Sequence, residues 1–159
     1  MRDLQDILYK SGMTEVHGSL DKKVRSVSFD SRRIDTGYLF VAVKGFVSDG
    51  HYYIDNAIDL GASVIVCEDL PQILSDKITY VVVKDASFAL GLMSSNFYDN
   101  PSSEIKLIGI TGTNGKTTTT TLLHDLVTDL GYAAGLISTV VNKIGKTKIP
   151  STHTTPNPM

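Results

Sequence analysis

Ile105-Lys106-Leu107-Ile108-Gly109-Ile110-Thr111-Gly112-Thr113-Asn114-Gly115-Lys116-Thr117-Thr118-Thr119 is the stretch that decides the fold. Its first six residues are apolar enough for a buried parallel strand, and Leu122, Leu123, Leu126, Val127 and Leu130 then recur at helical spacing. Between them Gly112-x-x-Gly115-Lys116-Thr117 reads as a phosphate-binding loop. Glycines let backbone N–H groups approach an anion with no Cβ in the way, and the helix start behind them adds unpaired donors. Lys116 supplies a point charge for the outer phosphates, and Thr117 a hydroxyl for an accompanying magnesium ion. The longer Walker pattern is incomplete, because Ile110 stands where its first glycine would be. Threonines 117–121 are poor helix formers, so their place in a first helical turn suits hydroxyl contacts to phosphate and metal.

Upstream, the pattern alternates between short apolar runs and amphipathic stretches. A short helix is expected over residues 2–11, ended by Gly12, with strands at 24–29, 38–43, 62–67 and 79–83. Helices fit 52–60, closed by Gly61, and 87–98. Strands separated by helices describe an α/β sheet covered by helices. Asp99-Asn100-Pro101-Ser102-Ser103 concentrates turn formers and marks a boundary, giving one domain over 1–101 and a second over 102–159. The second is expected to contain strand 105–110, the loop, a helix to Leu130 capped by Gly131, a strand at 133–140 and a hairpin around 142–146. Two parallel strands cannot complete a nucleotide domain. The acid that ends a later strand in such folds is absent from 133–140, so the rest of that domain is expected beyond residue 159.

The 159 residues are 42 % hydrophobic and 20 % charged with a formal charge of −2, which gives no basic excess to mark nucleic acid as a partner. Charges interrupt the first ten residues, and no apolar run approaches the roughly 18 residues of a membrane span, so a cytoplasmic address and no membrane partner are expected. The single cysteine, Cys67, ends the run Ser63-Val64-Ile65-Val66 and reads as a small buried side chain. His17 is placed in a loop, His51 at a helix start and His124 on the polar side of the loop helix. No pair of them has metal-ligand spacing.

Several segments together resemble the Mur ligases, the ATP-dependent amide-forming enzymes of peptidoglycan assembly. They are Asp30-Ser31-Arg32, Gly37-Tyr38-Leu39-Phe40-Val41-Ala42, Lys44-Gly45-Phe46-Val47-Ser48-Asp49-Gly50-His51, the loop Thr111 to Thr118, and Thr154-Thr155-Pro156. The asparagine in the loop makes it similar to the type that adds the third peptide residue, the MurE type. The resemblance implies an amino-terminal UDP-sugar-peptide domain followed by an ATPase domain. It implies ATP and Mg2+ as cofactors, with UDP-N-acetylmuramoyl-L-alanyl-D-glutamate and a diamino acid, diaminopimelate or lysine, as partners.

By the same resemblance Gly112, Thr113, Asn114, Gly115, Lys116, Thr117 and Thr118 bind ATP, with Lys116 catalytic and Thr117 the metal ligand. Phe29 and Ser31 lie beside the uridine, Phe46, Val47 and Ser48 along the UDP-muramoyl site, and His153, Thr154 and Thr155 near the sugar-peptide portion. The implied reaction converts a carboxylate to an acyl phosphate that an amine then attacks. The protein contributes positioning and charge stabilisation. Arg32 and Arg33 are candidates for a diphosphate. Ligation by residues 1–159 alone is not expected. A small-molecule kinase using the same loop, and a non-catalytic nucleotide or UDP-sugar module, remain open as other classes.

Overall fold

A computed structural model describes residues 1–45, 48–145 and 147–151. The chain divides into two compact units, the first over Met1–Ile105 and the second starting at Lys106.

The first unit begins with β1 (Arg2–Asp3), α1 (Leu4–Ile7), β2 (Met13–His17), β3 (Lys23–Val24) and β4 (Ser26–Ser28). It continues with β5 (Tyr38–Val41), α2 (Ile54–Asp59), β6 (Ala62–Cys67), β7 (Thr79–Val83) and α3 (Ala86–Phe97). Five strands form one sheet in the order β2-β7-β6-β5-β4, in which β4 to β7 run parallel and β2 closes the β7 edge antiparallel. The strands at 62–67 and 79–83 form at the expected residues, since each is an apolar β-branched run between turn formers.

Both faces of the parallel part are buried. Leu39, Val41, Val64 and Val66 point into a cluster with Leu4, Ile7 and Leu8 of the first helical segment and Ala89, Leu90 and Met93 of α3. Phe40, Ala42, Ile65 and Cys67 point the other way, against Ile54 and Ala57 of α2 and against Tyr80. This alternation is the period-two geometry of a strand with a helical layer on each side. Cys67 is fully buried, and desolvation pushes its thiol up to about 11.

Three expectations change in this unit. The strand expected over 24–29 divides, with Val24 pairing with Arg2 and Ser26–Ser28 pairing with β5 in the main sheet. The first helix is only four residues long, since Arg2–Asp3 instead pair with Lys23–Val24. His17 is not in a loop but ends β2, an edge strand whose polar side chains face outward and hide its alternation.

The second unit contains α4 (Lys116–Asp129), β8 (Gly135–Leu136), β9 (Val141–Ile144) and β10 (Thr147–Pro150). The helix and the hairpin form as expected, with Gly131 at φ +88° behind the helix and Gly145 at φ +55° in the turn. The two strands expected to lie parallel do not. Residues 105–110 join no ladder among the described residues, and Leu107 is 80 % exposed. Of 133–140 only Gly135–Leu136 is a strand, and it pairs antiparallel with β9. An interior parallel strand needs neighbours on its edges and helices on its faces, and the three-stranded meander β8-β9-β10 supplies neither to 105–110. Leu122, Leu126 and Leu130 are exposed for the same reason.

Phe40 is the largest side chain of β5 with no exposed surface. Phe40→Ala is expected to destabilise the first unit by about 3–5 kcal/mol, and Phe40→Leu by about 1 kcal/mol, in urea unfolding followed by far-ultraviolet circular dichroism.

Candidate functional site

In a parallel sheet the loops after the strands gather at one edge, and this is where polar side chains can be presented without burying them. After β4 the chain passes Phe29, which is 36 % exposed, and enters a 3₁₀ turn at Ser31–Arg33. Asp30 sets that turn: its Oδ1 accepts from the Arg32 amide at 3.1 Å, and its own amide donates to Ser28 Oγ at 3.1 Å. Ser31 is thereby drawn in until it is only 9 % exposed.

Arg32 does not stand free for a diphosphate. Its Nε donates to Asp30 Oδ1 at 2.9 Å and its Nη2 to Oδ2 at 2.8 Å, a bidentate pair two residues apart. The guanidinium holds the Asp30 carboxyl below the ordinary aspartate range. Arg33 makes no ion pair among the described residues.

After β5 the chain makes a small hairpin. Lys44 and Asp49 face each other in an antiparallel bridge, Gly45 N–H donates to the Ser48 carbonyl at 3.0 Å, and Gly50 N–H to the Val43 carbonyl at 2.9 Å. A Cβ on Gly50 would sit 2.7 Å from Val43 N, so only glycine allows this approach. Ser48 is exposed, and its hydroxyl lies 3.0 Å from that of Tyr53. Ser31, Ser48, Arg32 and Tyr53 are thus brought to one edge of the sheet. Phe46 and Val47 lie outside the described residues, as do His153, Thr154 and Thr155.

In the second unit Gly115 takes φ +78° and sits at the N-cap of α4 with no side-chain cap. The first amides of a helix have no partner within it, so an uncapped start leaves donors facing outward. Gly112, at φ +152°, opens the loop. Lys116 Nζ folds over it to the Gly112 carbonyl and lies 3.3 Å from the Thr113 carbonyl. Thr117 Oγ1 is 3.5 Å from Thr139 Oγ1. These residues fit a nucleotide phosphate chemically: free amides, one exposed ammonium and no carboxylate hydrogen-bonded to them among the described residues. For magnesium Thr117 offers one hydroxyl. Among the described residues there is no cluster of three or more His, Cys, Asp or Glu side chains suited to a metal.

His124, placed by its sequence on a polar face, is 7 % exposed because α4 lies against β8 on that side. Its Nδ1 meets Asp125 Oδ1 at 2.9 Å, and Lys143 Nζ reaches the same oxygen at 2.8 Å. Lys143, with His124 behind it, holds the Asp125 carboxyl below the ordinary range.

Comparison with known proteins bears on both units. A family model described as "Mur ligase family, catalytic domain" matches residues 23–98, and one described as "Mur ligase middle domain" matches residues 110–159. The chain belongs to the Mur ligase family.

Within that family it is similar to the UDP-N-acetylmuramoyl-L-alanyl-D-glutamate--2,6-diaminopimelate ligase of Cytophaga hutchinsonii, at 50 % identity over 155 residues, 97 % of this chain and 32 % of the relative. The ligase of the same name from Bacteroides fragilis is 45 % identical over 98 % of this chain and 32 % of its own length. The chain therefore spans about a third of the length of the curated relatives it matches. A solved structure of a UDP-N-acetylmuramoyl-L-alanyl-D-glutamate--2,6-diaminopimelate ligase shares the fold, with a TM-score of 0.71 at 22 % identity over 99 % of this chain and 31 % of the other. The MurF ligase of Thermotoga maritima, solved in complex with ADP, aligns at 30 % identity and a TM-score of 0.51 over 67 % of this chain and 24 % of that one.

Asp30 and Asp49 share an electrostatic signature. The His51 amide and then its ring hold Asp49 below the ordinary range, as Arg32 does Asp30. A carboxyl whose folded value is depressed stabilises the fold above its unfolded value and loses that contribution as pH falls through the folded value. Both turns are thus expected to stay intact from neutral pH down to the ordinary aspartate range and to loosen only below it. The check is a nuclear magnetic resonance titration of the Arg32 and His51 amides, whose midpoints should fall under those of free aspartate.

Proposed function

We propose that this chain supplies the substrate-binding and phosphate-binding parts of an ATP-dependent amide ligase of peptidoglycan precursor synthesis. Residues 1–101 form the domain for the UDP-sugar-peptide, and residues 102–159 open the domain for ATP. The carboxylate substrate is UDP-N-acetylmuramoyl-L-alanyl-D-glutamate and the amine is a diamino acid. The names of the relatives favour 2,6-diaminopimelate. Such a reaction on a water-soluble precursor belongs in the cytoplasm, and no helix of the described residues is long and apolar enough to cross a membrane.

The observation that carries the reading is the uncapped start of α4 behind Gly115, with Lys116 as its first residue. A carboxylate cannot expel oxide, so it must first be phosphorylated. The chemistry then asks the protein to orient the phosphoryl group and balance its charge. The amides of 115–118 would hold the phosphates and Lys116 would neutralise the transferring group, turning from its loop carbonyls to do so. Magnesium would supply further charge neutralisation, with Thr117 among its ligands. Ser31, Ser48 and the flanking Phe29, Phe46 and Val47 would receive the UDP portion, and His153, Thr154 and Thr155 the peptide end. The ADP held by the Thermotoga relative is consistent with the nucleotide assignment.

Calorimetric titration with UDP-muramoyl dipeptide, UDP and ATP tests this reading. Heat with the uridine ligands is expected. Heat with ATP alone would point instead to a kinase-like role. Lys116→Ala is expected to weaken ATP binding by about 1.5–3 kcal/mol while leaving the uridine ligands unaffected, and unchanged ATP affinity would refute its role.

A further inference from the structure

The end of β6 carries a polar network that the assignments above leave unused. His51 has a side chain only 14 % exposed, and both its ring nitrogens are engaged. Nε2 accepts from the amides of Glu68 at 3.0 Å and Asp69 at 3.3 Å, two donors that the end of the strand leaves without ladder partners. A nitrogen that accepts cannot carry the proton, so the proton is on Nδ1, where it is donated to Asp49 Oδ1 at 2.6 Å. The His51 amide donates to the same oxygen at 2.9 Å.

The other leg of the hairpin is tied to the same place. Lys44 Nζ meets Glu68 Oε2 at 3.0 Å and Asp69 Oδ2 at 2.7 Å, while Glu68 Oε1 accepts from the Ala86 amide at the start of α3 at 2.9 Å. Lys44 and Asp49 are the two residues of the hairpin bridge, so both legs are fastened to residues 68–69. Ser48 lies next to one fastening point and hydrogen-bonds Tyr53, two residues beyond His51.

We infer that His51 is a positioning residue for the UDP-substrate site: by accepting from the end of β6 and donating to Asp49, it fixes the hairpin that presents Ser48 and the Tyr53 hydroxyl. The inference rests on the ligase reading above. A loop presented in one geometry binds without the cost of ordering it on each encounter, so the effect of losing His51 falls on affinity for the uridine ligand.

Three variants of the full 159-residue chain separate the possibilities. His51→Leu removes both bonds. His51→Gln keeps an acceptor that can reach the Glu68 and Asp69 amides. His51→Asn keeps a donor for Asp49 but falls short of those amides, and it stands in with Gln if the leucine variant does not fold. Each is titrated calorimetrically with UDP-muramoyl dipeptide and with ATP, beside a thermal unfolding midpoint.

The leucine variant is expected to weaken the uridine ligand about tenfold with ATP affinity unchanged, the asparagine variant less, and the glutamine variant least. In the double variant His51→Leu with Ser48→Ala, the losses should sum to less than the two separately, because both act through one hairpin. Folded variants with unchanged affinity for UDP-muramoyl dipeptide would overturn the inference, as would equal loss of both ligands or strict additivity with Ser48→Ala. If the unaltered chain takes up no uridine ligand, the substrate-domain reading fails and takes this inference with it. If the unaltered chain binds and the variants bind equally, the inference alone fails.

Discussion

Burial of β6 on both faces is the constraint from which the rest of the first unit follows. Val64 and Val66 belong to one apolar cluster, Ile65 and Cys67 to the other, so from Val64 onward the strand has no wet side on which to place a polar group. Its backbone is satisfied by β5 and β7 along its length, and that satisfaction stops at its end. Polarity is thereby pushed to the edge where the parallel strands finish. The backbone donors of Glu68 and Asp69 are met there by an imidazole, their carboxylates by Lys44 and by the start of α3. This polar network sits at that edge because the interior excludes it.

The second unit shows what happens where such a constraint is not met. Residues 105–110 have the composition of a buried strand, yet they join no ladder among the described residues, and Ile105, Leu107 and Ile108 face water. The glycine loop beside them keeps its character all the same. A left-handed glycine, an uncapped first turn and a lysine at the first helical position are properties of some ten consecutive residues, and they need no distant partner. The loop's geometry is encoded locally and the sheet behind it is not.

That difference also separates what the sequence made legible from what it did not. The runs at 62–67 and 79–83, the helices over 54–59 and 86–97, the loop and its helix were readable because composition and period coincide with burial. β2 was hidden because Met13, Thr14 and Glu15 are exposed on an edge, so no alternation survives. His124 was misplaced because a helical wheel cannot say which side a neighbouring strand will cover. The sequence leaves Arg32 a candidate for a diphosphate because residue order alone does not show that Asp30 closes on it. The role of His51, which the sequence places simply at a helix start, is not legible because its partners are main-chain amides seventeen and eighteen positions away and main-chain donors leave no trace in residue identity.

The strand order has a temporal side as well. The earliest long strand, β2, pairs only with the latest, β7, and no ladder of that sheet draws on a residue after Val83. During synthesis β2 must wait, unpaired, while the three other strands of its sheet, β4 to β6, emerge and line up before β7. When the glycine loop emerges, all five strands are already outside the ribosome, and the first unit is free to close before its successor has fully emerged.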